Sequence, residues 1–113
     1  MLLPKMIRVK QKFPTDVVED VRSTVFTELD QIGVDSIVKS GDAIAVGAGS
    51  RGIANIDVAI KSVVDYLKEI GAKPFVFPAM GSHGGATPEG QKDILAHYGI
   101  TEEKMKAPIR ATM

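Results

Sequence analysis

The sequence predicts an α/β fold, Rossmann-like, with a mostly parallel sheet built from consecutive βα units. Three observations predict it. Short apolar runs, Ala43-Ile44-Ala45-Val46 and Pro74-Phe75-Val76-Phe77-Pro78, alternate with longer stretches of helical periodicity. Such alternation argues a parallel sheet flanked by helices. Each run gives way to a glycine-rich turn and then to a helix: Gly49-Ser50-Arg51-Gly52, and 32 residues later Gly81-Ser82-His83-Gly84. One Gly-Ser-basic-Gly pattern at two strand-to-helix turns reads as two successive βα units. In a parallel sheet these turns lie at the carboxyl ends of the strands, where open α/β folds bind ligands.

Taken in order, Met6 to Phe13 alternates apolar and polar residues, the period of a half-exposed strand or an extended arm. Pro14 and Thr15 end it. Asp16 and Glu19 form a possible capping box, and Val17, Val18, Val21, Val25, Leu29 and Ile32 give one apolar helical face. The spacing therefore predicts a helix from Asp16 to Gly33, followed by a connector through Ser40-Gly41-Asp42. The run 43–46 is uniformly apolar, as a strand buried on both faces would be. A helix over Ile56–Ile70 follows, burying Ile56, Ile60, Val63, Val64 and Leu67, with Gly71 as its C′ residue. After the strand 74–78, Thr87 is placed to cap a helix with Pro88 at its first position. That helix extends to about Tyr98 and closes at Gly99. Thr101 caps a last short helix, and Ala107–Met113 reads as the start of a further strand. Residues 1–113 are thus expected to be a single α/β domain, and an incomplete one, a fragment that ends as a strand begins.

The totals narrow the function. Hydrophobic residues make up 44% of the chain, enough for a core. Fourteen basic residues balance fourteen acidic ones, so no bulk charge draws the chain to nucleic acid or to an anionic membrane. With no cysteine there is no disulfide and no thiolate metal site, and two histidines are too few for an ordinary self-contained metal site. No apolar run approaches the ~20 residues that span a bilayer. The N-terminus has no signal-peptide apolar region, so a cytoplasmic location is expected.

Two constellations carry chemistry. Gly47-Ala48-Gly49-Ser50-Arg51-Gly52 fits G-x-G-x-x-G between a strand and a helix. A dinucleotide site also needs an acid at the end of the next strand to hold the ribose. That strand ends Phe77-Pro78-Ala79-Met80, so a nicotinamide or flavin site is disfavoured. What remains is an anion pocket for a carboxylate or phosphate. It is made of loop amides, Arg51, and Gly49, Ser50 and Gly52, joined by Ser82, Gly84 and Thr87 from the second loop. The bland alternative is a tight turn with a solvated arginine. In the second loop His83 is the one candidate acid–base residue, since histidine exchanges protons near neutral pH. The competing reading is a histidine that hydrogen-bonds its own loop. His97, at a helix end, is accounted for by capping terminal carbonyls. Ser50 and Ser82 lack the G-x-S-x-G context of a nucleophile and read as anion donors.

Residues 40–100 resemble the N-terminal domain of the nickel-dependent lactate racemase family. The likeness rests on Ala43–Val46 followed by Ser50-Arg51, and on Phe75-Val76-Phe77 followed by Gly81-Ser82-His83 and Ala86-Thr87-Pro88-Glu89, with the spacing between the two loops. The likeness is that of a divergent relative. Where that family carries Asp and Pro around the arginine, this chain has Ala48 and Gly52, and Gly84-Gly85 replaces the Arg-Pro after the histidine. The resemblance implies that the chain is the N-terminal fragment of a longer two-domain protein, a racemase or epimerase acting on a 2-hydroxy acid by hydride abstraction and return on a nickel-pincer mononucleotide. His83 would be an acid–base histidine and Arg51 would hold substrate or cofactor anions. The cofactor's main ligands would lie in a C-terminal domain beyond residue 113, so this chain alone is expected to be inactive. The expectation from another class is a non-catalytic phosphate- or nucleotide-binding module.

Overall fold

A computed structural model describes residues 1–113. The sheet has two parallel strands, β1 (Ala43–Ala48) and β2 (Lys73–Pro78), in register with Val46 beside Val76 and Ala48 beside Pro78. Five helices accompany it: α1 (Val21–Gln31), α2 (Val34–Ile37), α3 (Ile56–Glu69), α4 (Pro88–His97) and α5 (Glu102–Met105). The result is a mixed α/β fold. At the far edge of β2 the chain begins a third parallel pairing. Val76 N–H donates to Pro108 O and Arg110 N–H to Val76 O, both at 2.8 Å. The Glu102 carboxylate fastens this segment by accepting from Ile109 N–H at 2.8 Å.

The core lies on one side of the sheet. Val46, Ala48 and Val76 meet Ile56, Val64 and Leu67 of α3, Leu95 of α4, and Ile100, Met105 and Ile109. Burying such aliphatic side chains stabilises by roughly 1.5–3 kcal/mol each. The strand 43–46 reads as covered on both faces, but only one is covered. Ala43, Ala45 and Gly47 are exposed on the other, and Phe75 there is shielded in part by the Arg110 guanidinium, 4.2 Å from its ring centroid. An apolar run satisfies either arrangement, because Ala and Gly tolerate water.

Helices α4 and α5 start where their caps place them. Thr87 Oγ1 accepts from Gly90 N–H at 3.1 Å with Pro88 in the first turn, and Thr101 Oγ1 accepts from Lys104 N–H at 3.3 Å. Helix α1 departs from expectation. It begins at Val21, capped by Asp20, whose carboxylate accepts from Ser23 N–H at 2.9 Å. Val17 and Val18, assigned to the helix by periodicity, are exposed. They have nothing to pack on, and an unsupported first turn is costly to nucleate. Residues 1–18 form neither helix nor strand, so the period-2 segment 6–13 pairs with nothing.

Helix α1 rests on α3 rather than on the sheet. Phe26 meets Tyr66 edge-on at 5.4 Å between centroids, and the Tyr66 hydroxyl donates to Asp30 Oδ1 at 2.8 Å. Arg22 and Lys61 converge on Asp65. Burial raises the pKa of that carboxyl, but hydrogen bonds from Lys61 and Arg22 outweigh it and hold the pKa below the ordinary value. No helix is long and apolar enough to cross a membrane.

Candidate functional site

The parallel pairing of β1 and β2 puts the two Gly-Ser-basic-Gly loops side by side. Ala79 N–H donates to Ala48 O at 2.8 Å, continuing the ladder one step past the strands. Beyond it the Ser50 hydroxyl and His83 Nδ1 are hydrogen-bonded across 33 residues of sequence. That contact joins the first loop to the second.

The loop around His83 is built on α4. Gly84 has φ +66°, and a Cβ there would stand 2.5 Å from the Gly90 carbonyl carbon. The glycine at this position allows close backbone contact with the first turn of α4. Thr87, expected among the anion-binding residues, is engaged internally: its hydroxyl donates to Gly84 O at 3.1 Å while capping α4. Gly81 and Gly85 are open, with no atom within 4 Å of a notional Cβ.

Ser50 and His83 share a cavity of about 350 Å³ with Asp93, Ile94, His97 and Tyr98. Of the expected anion-site residues, only these two are in side-chain contact with each other. Arg51 and Ser82 are exposed at the loop tips, and their side chains make no hydrogen bond or ion pair. Gly52 is open, and a Cβ on Gly49 would stand 3.9 Å from Ala79 O. The G-x-G-x-x-G reading also loses its geometry. Gly47 lies within β1, and α3 starts only at Ile56, after an uncapped Asn55 in the left-handed conformation. The helix start thus lies four residues past Gly52.

Sequence reasoning missed α4 as a wall of the site. His97, assigned to capping, lines the cavity with Asp93 one turn earlier. Gln91 and Tyr98 hold the loops from behind. Gln91 Nε2 donates to Gly81 O at 2.7 Å and His83 O at 3.2 Å, and Tyr98 OH donates to Ser50 O at 3.0 Å. The available signal was spacing: positions 91 and 98 fall two turns apart on one face of the helix.

The pair suits proton transfer. With Nδ1–H donating to Ser50 Oγ, Nε2 is free to take a proton, and the bond persists when the ring becomes cationic. A serine nucleophile fits less well. In the Ser-His-Asp arrangement Nε2 faces the serine and Nδ1 the carboxylate, whereas here Nδ1 faces Ser50 and no carboxylate bonds the ring. No three His, Asp or Glu side chains stand together as a metal-ligand set. No family model matches the sequence, and searches of curated proteins and of solved structures return no match.

Proposed function

We propose that this chain is the N-terminal part of a racemase- or epimerase-like enzyme of the cytoplasm that acts on a small 2-hydroxy acid. His83 moves the proton of the substrate hydroxyl. Arg51 and the amides of the two loops receive the carboxylate. The observation that supports this reading is the Ser50–His83 hydrogen bond between two like loops at the carboxyl ends of adjacent parallel strands. The fold belongs to the same proposal: two βα units with a parallel bridge from Val76 to Ile109 support a Rossmann-like reading.

The nickel-pincer mononucleotide that the family resemblance implies finds no ligand set among these residues. Proton transfer at His83 is the only step assigned to this chain. Reversible hydride removal requires a cofactor, so the proposal places that group and its ligands in a further domain. The 113 residues alone are expected to bind without turnover.

Amide NMR titrations with lactate, inorganic phosphate and a mononucleotide test the reading. Resonances of Gly49–Gly52 and Ser82–Gly85 should move together with lactate at one affinity. Arg51→Ala should weaken that affinity about tenfold, as loss of one charge-assisted contact does. Equal or tighter response to phosphate, with no preference for the 2-hydroxy acid, supports the non-catalytic anion-binding module instead. Movement of one loop alone sinks the shared site.

A further inference from the structure

The structure assigns Gln91 and Tyr98 as positioning residues that hold the Ser50–His83 pair together, with α4 acting as a splint across both loops. This inference rests on the proton-transfer reading of that pair. The His83 loop has glycines at 81, 84 and 85, all with positive φ. Such a segment has few side chains with which to pack itself in place, so its carbonyls must be held from outside.

Gln91 does that. It is one of two buried polar side chains, only 3% exposed, and burying an amide is costly unless it is hydrogen-bonded. Its Nε2 reaches two carbonyls of the loop, on either side of Ser82. Seven residues on, Tyr98 holds the other loop through Ser50 O. Leu95, fully buried between them, anchors the same face of α4 in the core. A single rigid element thus grips both partners through backbone oxygens. It leaves the Ser50 hydroxyl and the imidazole free to bond one another and keeps Nδ1 on Ser50; with Nδ1–H as the donor, Nε2 is the exchangeable nitrogen.

The test is the tautomer of His83, read from long-range ¹⁵N correlations of its ring in the 113-residue chain. Wild type should show well separated shifts with the proton on Nδ1, and Ser50→Ala should average them; a proton fixed on Nε2 instead overturns the proton-transfer reading. Tyr98→Phe removes one hydroxyl and Gln91→Glu removes both amide donors at neutral pH with little change of shape. Each should shrink the separation of the two shifts while amides remote from the loops stay in place. Variants that keep the full wild-type separation overturn the positioning role and leave the Ser50–His83 pair standing. A wild-type ring already averaged like Ser50→Ala overturns both the positioning role and the proton-transfer reading. Should Gln91→Glu fail to fold, Tyr98→Phe decides the question alone, because it retains the ring packing of the helix.

Discussion

Gly84 and Gly85 share φ +66°, yet they stand in different surroundings. A Cβ on Gly85 meets open space, whereas one on Gly84 meets the Gly90 and Gln91 backbone at 2.5 and 2.6 Å. Left-handed backbone costs a non-glycine residue roughly 1–2 kcal/mol. Gly85→Ala should lose about that much in chemical denaturation. Gly84→Ala adds a clash with a helix that cannot step aside, so it should lose clearly more and should also displace His83. Equal losses would mean that the two segments are not packed as described. A second residue-scale test uses pH. The Tyr66 hydroxyl donates to Asp30 Oδ1, and that bond, ahead of burial, pushes its pKa up to about 12 from 10. The folded state therefore holds this proton more tightly than the unfolded chain. Its stabilisation is complete below pH 10 and fades as the pH rises from 10 towards 12. Tyr66→Phe should remove that alkaline slope while leaving the α1–α3 packing of the ring intact.

At the scale of the element, α4 is the part on which the site depends. Thr87 caps it and also grips Gly84 O. Thr87→Ala should cost about 1 kcal/mol of stability, the usual worth of an N-cap, while Thr87→Ser should restore it. Thermal melts of the pair check this. A loss reversed by serine points to the hydroxyl, and a loss that serine fails to reverse points to the methyl. Elements whose signals are local were legible in the sequence. Thr87-Pro88 and Thr101 mark helix starts, and α4 and α5 begin beside them. The start of α1 was not legible, because Asp16 and Asp20 are equally good caps and only tertiary support chooses between them. Nor could the one-sided covering of β1 be read, since an apolar run says nothing of how many faces are covered. The repeat of Gly-Ser-basic-Gly did anticipate that the two loops would lie side by side, but it pointed to Arg51 as the neighbour of His83, and the side chain that meets the imidazole is Ser50. The role of Gln91 was hidden, because a glutamine in a helix ordinarily faces water.

For the whole molecule, the radius of gyration is 18.2 Å and the longest extent 64 Å, against about 13 Å expected for a compact chain of this length. The excess comes from residues 1–18, all of them exposed. This arm also divides the charge. Residues 1–15 carry Lys5, Arg8, Lys10 and Lys12 and no acid, which leaves ten basic against fourteen acidic residues for the remainder. A balanced total thus conceals a cationic arm bearing exposed Leu2, Leu3, Ile7, Val9 and Phe13 on an anionic body. Every residue of the arm is exposed and none belongs to the core cluster, so removing residues 1–18 should change stability by no more than ~0.5 kcal/mol, as exposed substitutions do. The truncated chain should melt at the same temperature, and the midpoint should not depend on protein concentration. A lower, concentration-dependent midpoint for the full chain relative to the truncated one would mean that the arm destabilises by self-association. A higher one that rises with concentration would mean that it binds a second copy in the folded state, since ligands of the native state stabilise by mass action. The cationic charge of the arm makes salt a further discriminator. If the arm does dock on the anionic body of another copy, raising ionic strength should abolish the concentration dependence before it affects the core.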